Sequence, residues 1–285
     1  MRRWAIRTGL VLLAGLALYT VAAAQNLTGA FVPRRTLDEQ VELLRPGVEI
    51  VLPEHVSEPV PAIVFFHGCG GERPMHMAHA AAIAEAGYAA IVVDSFEPRG
   101  IGRFAAMTQV CAALRLMGQE RAADVFAALE IARSIPEIDA QHIVLAGWSH
   151  GGWTLLDAMS FVSEDRRPTA LSDGEAGFDG VVRIVPIYPY CGFPARASGR
   201  IGAGLPPVDM ILAGRDMVAP NGDCIRLAEQ AEADGADIAV EVWEGLTHAF
   251  DDTDAPALDP RMEYNAEAAA RLRARLIGIL AQAQD

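Results

Sequence analysis

The sequence predicts an α/β fold, a mostly parallel central sheet with helices on both faces. Three observations carry that prediction. Short apolar runs rich in Val, Ile, Leu and Ala recur along the chain, several of them continuous, as in strands covered on both faces. Longer stretches with apolar residues at helical spacing separate them. The two kinds of segment alternate, and a strand–helix–strand alternation closes into a parallel sheet.

The 285-residue chain opens with Arg2, Arg3 and Arg7, followed by an apolar run over 9–19 and then Ala22-Ala23-Ala24. The run is short for a bilayer crossing, and the alanines suit a signal peptidase. Residues 1–24 therefore read as a signal peptide and 25–285 as a single α/β domain, with an uncleaved anchor as the alternative. The export route stays open, because RRWAIR carries only part of a twin-arginine pattern. Strands are expected over 48–52, 62–66, 90–93, 143–146, 181–187, 208–213 and 238–243. Helices are expected over 75–85, 119–133, 152–160, 225–233 and 265–284. The long stretches 101–118 and 161–179 are candidate substrate-facing insertions.

The net charge of −14 repels nucleic acid and anionic lipid, so neither is an expected partner, nor is stable membrane association after signal cleavage. Four cysteines in an exported chain point to disulfides. They permit three pairings. Cys69 could join Cys111, and Cys191 could join Cys224, but the sequence does not choose. No CxxC spacing marks a metal site.

In a parallel sheet the ligand site lies at the carboxyl ends of the strands. The run 143–146 leads there into Gly147-Trp148-Ser149-His150-Gly151, a full G-x-S-x-G between a strand and a helix. A sharp turn in that place strains the backbone, so side chains two residues either side of the serine would clash and glycine is required. Ser149 is thus the candidate nucleophile, and a plain turn with a capping serine is the bland alternative. A serine needs a base. His248, in GLTHAF after the last strand, stands where the base falls in the order Ser, Asp, His. Asp216, in AGRDMVAP, would orient it, with Asp223, Asp251 and Asp252 as rivals. In the loop His67-Gly68-Cys69-Gly70-Gly71 the Cys69 N–H is an expected oxyanion donor, with Gly70 as the other possibility; the His150 N–H is its partner. His76 and His79 read as an ordinary helix surface, as do His55 and His142 on their own segments. Arg99 and Arg103 could hold a substrate carboxylate or tie a loop to Asp94 or Glu97, and the structural role is preferred.

The segments FFHGCGG, VVDSFEPRG, GWSHGG, YPYCG, AGRDMVAP and THAF resemble, in order and spacing, the dienelactone hydrolase family of the α/β-hydrolase fold. The resemblance runs from about Val48 to the C-terminus. It implies Ser149 as nucleophile, Asp216 as acid and His248 as base. The members that name the family use cysteine as nucleophile, whereas this chain carries serine. The expectation is therefore a serine esterase acting on a small-molecule carboxylic ester or lactone through an acyl-enzyme, with no cofactor and no metal. A serine peptidase on the same fold and a non-catalytic binding protein are the rival readings.

Overall fold

A computed structural model describes residues 2–197, 201–255 and 259–282. Helix α1 spans Arg2–Thr28 and α2 spans Leu37–Leu44. Strands β1 (Val48–Val51) and β2 (Val60–Phe66), helix α3 (Pro74–Glu85) and β3 (Ala89–Val93) follow. Helix α4 (Gly118–Arg133), β4 (Ile138–Trp148), α5 (His150–Ser163), β5 (Val181–Ile187) and β6 (Val208–Ala213) come next. The chain closes with α6 (Asn221–Ala233), β7 (Ile238–Trp243) and α7 (Ala266–Gln282). All seven expected strands form. The last helix is described as far as Gln282, and residues 283 and 284 of its expected span lie outside the described residues.

The strands order as β1-β3-β2-β4-β5-β6-β7. Only β1 runs antiparallel, against β3; the other pairings are parallel. Alternation along each strand divides the core between the two faces. Ala62, Val64, Phe66, Ile143 and Leu145 face one side, with α2, α4, α5 and α6 packed over them. Ile63, Phe65, Val144, Ala146 and Trp148 face the other, beneath α3 and α7. Helices thus cover both faces, as the sequence predicts.

Three local expectations need correction. Helix α2 was not foreseen: eight residues are short for a periodic signal. It is set by a capping box in which Thr36 accepts from the Glu39 N–H and the Glu39 carboxylate accepts from the Thr36 N–H. At the N-terminus, α1 runs on to Thr28, so its stretch Arg7–Thr28 is long and apolar enough to cross a membrane by length and composition, a test that a signal sequence also passes. The apolar run over 9–19 taken alone understated it. Of the two candidate insertions, 161–179 starts inside α5 and packs beside the segment before α2, pairing Leu171 with Arg35, on the side away from Ser149. The stretch 101–118 does lie over the site. It contains a helical turn, Arg103–Ala105, that runs into a π-helical stretch, Ala106–Val110.

Candidate active site

Ser149 sits between β4 and α5 with φ 51° and ψ −110°, in a region L-residues rarely adopt. The close approach that allows this conformation is visible at the two glycines. A Cβ on Gly147 would stand 2.5 Å from the Gly151 backbone, and one on Gly151 only 2.0 Å from the Phe66 carbonyl oxygen. Any side chain there would push β2 away from the turn. The turn exposes the Ser149 hydroxyl at the N-terminus of α5, whose first N–H groups have no partner within the helix.

His248 and Asp216 converge on that hydroxyl from separate loops. The Ser149 Oγ lies 3.0 Å from His248 Nε2, and His248 Nδ1 lies 2.6 Å from Asp216 Oδ2. The other oxygen of Asp216 accepts the N–H groups of Val218 and Ala219 at 2.8 and 2.7 Å, which fixes the carboxylate plane. A carboxylate can only accept, so the shared proton sits on Nδ1 and Nε2 is free to accept from the serine. The rival acids are engaged elsewhere. Asp223 pairs with Arg226 on α6, Asp252 with Arg73, and Asp251 with a buried cluster.

The loop 67–71 passes directly over the serine: a Cβ on Gly68 would stand 3.5 Å from the Ser149 Cβ. His67 fixes its orientation. Its Nε2 accepts the Ser95 N–H, so Nδ1 carries the proton and donates it to the Gly68 carbonyl at 2.6 Å. That carbonyl also accepts the Gly71 N–H. A trans peptide points its N–H opposite its carbonyl, so the Cys69 N–H is directed away from these donors. Cys69 lines the space above Ser149 and is bridged to Cys111 of the 101–118 stretch. Cys191 and Cys224 form the second disulfide. Both pairings that the sequence left open are therefore made.

Sequence reasoning missed Arg121. It is buried completely beneath the two loops. Its Nη2 donates to the His67 carbonyl at 2.7 Å, and its Nη1 to His150 Nδ1 at 2.6 Å. Burial lowers its pKa to about 10. Burial, then the Arg121 guanidinium, also hold His67 and His150 below the usual histidine value, so both are neutral. An arginine on an amphipathic helix ordinarily faces solvent, and nothing in GQERAAD distinguishes this one.

A second buried cluster was also missed. Asp251 accepts from Tyr188 Oη at 2.6 Å, Trp148 Nε1 at 2.8 Å and His79 Nε2 at 3.0 Å. These bonds outweigh the upward push of burial and leave its pKa lowered. It thereby ties the His248 loop to the residue preceding Ser149. Tyr188, at φ 36°, packs its ring 4.8 Å from that of His248. His76 and His79 are therefore not surface residues but buried ones, held against Trp148 because α3 packs across the carboxyl end of the sheet. His55 is exposed and His142 pairs with Asp139. Arg99 has the structural role expected, but its partner is Asp124 at 2.7 Å rather than Asp94 or Glu97; Arg103 is exposed. No cluster of His, Cys, Asp or Glu suited to a metal occurs among the described residues.

Two chambers meet at Ser149. The first, about 270 Å³, is walled by Met75, Met107, Trp148, Tyr188, His248 and Met262 among others. The second, about 220 Å³, is walled by Tyr19, Val110, His150, Trp153, Tyr190 and Phe193 among others. Ser149, Cys69, Cys111 and Val218 border both.

A serine on a strained turn at the carboxyl edge of a mostly parallel, doubly covered sheet, within reach of a histidine, defines an α/β-hydrolase-fold protein. More narrowly, the chain belongs to the dienelactone hydrolase family, a family of hydrolases that it matches over residues 48–284. Among solved structures it is similar to P91, a dienelactone hydrolase-like promiscuous phosphotriesterase from metagenomic libraries. The identity is 19% and the TM-score 0.61, covering 82% of this chain and 91% of that one. It is similar also to esterase 2 of Thermogutta terrifontis, solved phosphorylated by paraoxon, at 17% identity and a TM-score of 0.58, covering 80% and 85%. Both likenesses are of fold. A sequence search of curated proteins finds no match.

Proposed function

We propose that the protein is a serine hydrolase that cleaves a carboxylic ester or lactone through an acyl-enzyme. One observation carries the reading: an unbroken relay from the Ser149 hydroxyl through His248 to Asp216, with spans of 3.0 and 2.6 Å. Ser149 Oγ attacks the ester carbonyl while His248 Nε2 takes its proton. The carbonyl oxygen gains the charge and is met by the N–H groups of Cys69 and His150. The C–O bond to the alcohol then breaks, and His248 returns the proton to the leaving oxygen. Water, deprotonated by the same imidazole, attacks the acyl carbon and frees Ser149. Asp216 keeps the imidazole oriented and stabilises its charged form. The steps need no cofactor.

Residues 1–24 act in this reading as the export signal, and residues 25–285 form one α/β-hydrolase domain released into an oxidising compartment. The two disulfides support that destination. The test is covalent. A fluorophosphonate probe labels the wild-type protein and not Ser149→Ala, and p-nitrophenyl esters are hydrolysed only by the former. Labelling that survives in Ser149→Ala, or ester turnover by that variant at the wild-type rate, refutes the assignment.

A further inference from the structure

We propose that the substrate is an open-chain, uncharged ester that places one apolar arm in each chamber beside Ser149, and that a carboxylate-bearing lactone is a poor substrate. The inference rests on the serine-ester reading above and adds the substrate class.

The first argument is charge. Among the described residues lining the first chamber, the only permanent cation is Arg73, and two carboxylates, Asp252 and Asp259, share that lining. The Arg73 guanidinium is already engaged, its Nε 3.3 Å from Asp252 and its Nη2 3.0 Å from Asp254. Asp259 is held in turn by Arg261. A substrate carboxylate entering here finds no free cation among the described lining residues and two like charges. The second chamber has no carboxylate, lysine or arginine among its described lining residues. Its one histidine, His150, is a buried neutral group that already accepts from Arg121. An anion in that chamber would lose hydration and meet only neutral donors, the unpartnered His150 Nε2–H among them, with no cation to balance its charge. Arg121, the cation nearest the turn, points its donors into the protein.

The second argument is shape. Each chamber is small for a small-molecule site, which spans roughly 300–1,000 Å³, and the two together fall within that range; export removes Tyr19 from the wall of the second chamber and leaves Val110, Trp153, Tyr190 and Phe193. They diverge from Ser149 with the Cys69–Cys111 bridge bordering each. A compact ring with both ester atoms on one side leaves one chamber empty, whereas an open ester fills both. The proton chemistry assigns the arms. The leaving oxygen must come within reach of His248 Nε2, and His248 lines only the first chamber. The alcohol arm therefore lies between Met75, Met262 and Tyr188, and the acyl arm between Trp153, Tyr190 and Phe193.

Matched substrates test this. Methyl, butyl and hexyl esters of one acid, and p-nitrophenyl esters of acetate, butyrate and hexanoate, are compared with the mono-p-nitrophenyl ester of glutarate and with a carboxylated lactone. We expect kcat/KM to rise along both neutral series. It should fall at least about tenfold for the glutarate ester relative to butyrate, and the lactone should be slower still. Met262→Trp should penalise the longer alcohols and leave the acyl series in order; Ala112→Trp should do the reverse. Asp252→Asn with Asp254→Asn frees Arg73 and should narrow the gap between glutarate and butyrate. Equal or faster turnover of the carboxylated substrates by a protein whose Ser149 is labelled by fluorophosphonate overturns this inference and leaves the serine-ester reading standing. Absence of both labelling and ester turnover overturns both.

Discussion

The Ser149 conformation shows how narrowly single positions are constrained. With φ at 51° and a Gly151 Cβ position 2.0 Å from the Phe66 carbonyl, the turn excludes even a methyl group. Gly151→Ala should destabilise the protein by about 3 kcal/mol or more, or prevent soluble expression, because the contacting atoms of Phe66 and His67 are all backbone and cannot retreat. Gly278, in α7, is the contrast: its Cβ position meets nothing within 4 Å. Gly278→Ala should raise stability by about 0.5–1 kcal/mol, read from denaturant midpoints. In the relay, Asp216→Asn keeps the shape but favours the wrong imidazole tautomer, so kcat should fall by about four orders of magnitude with the fold intact. Steady-state kinetics beside a circular dichroism melt would check both halves. These positions were legible in the sequence because G-x-S-x-G, the post-strand aspartate and the late histidine are local patterns. Arg121 and Asp251 were not, since their meaning lies in what folds over them.

Loops and helices carry the next level of constraint. The Cys69–Cys111 disulfide, with Cα atoms 5.0 Å apart, ties the loop over Ser149 to the stretch that ends in α4. Replacing both cysteines by serine should lower stability by about 2–4 kcal/mol and also lower kcat, because the Cys69 N–H loses its fixed direction. The Cys191–Cys224 pair joins the loop after β5 to α6 and does not reach the loop 67–71. Its double serine variant should lose comparable stability with a much smaller fall in kcat. Thermal melts and kinetics on both variants separate the two effects. If the two fall equally in kcat at equal stability, the positioning role of the first bridge is wrong. The strands were readable as short apolar runs, and even the antiparallel β1 was found. Helix α2 escaped because its definition is a cap rather than a period.

Across the whole molecule, buried histidines set the response to acid. His67, His76 and His150 are all held neutral, with burial as the leading cause, and the His76 value falls to about 3. Their folded values lie below the unfolded value near 6.5. The stability they contribute is therefore present above about pH 6.5 and lost as pH falls below it, in the case of His76 down to about pH 3. Each contributes a slope of about 1.4 kcal/mol per pH unit once the unfolded chain is protonated and the folded one is not. Asp157, raised to about 7 by burial, opposes them with a single proton between about pH 4 and 7. The net effect is a Tm that falls steeply between pH 6 and 4. Melts across that range would show it, and the His76→Phe variant should have a shallower slope. A flat Tm from pH 7 to 4 would contradict the account.

Composition, apolar periodicity and three short motifs were enough to define the doubly covered parallel sheet, the order of its strands along the chain, and a candidate serine, acid and base. Each is a property of neighbouring residues and survives in one dimension. Folding alone decided that His76 and His79 are interior, that Arg121 braces the loops on either side of Ser149, and that Asp251 links Trp148 to the His248 loop. It also decided which cysteines meet, and that Arg73 is neutralised where it borders a chamber. Those facts depend on distances between residues up to 181 positions apart, such as Arg73 and Asp254. Only the packed chain brings them into contact, because burial and charge pairing are properties of the surroundings rather than of the residue.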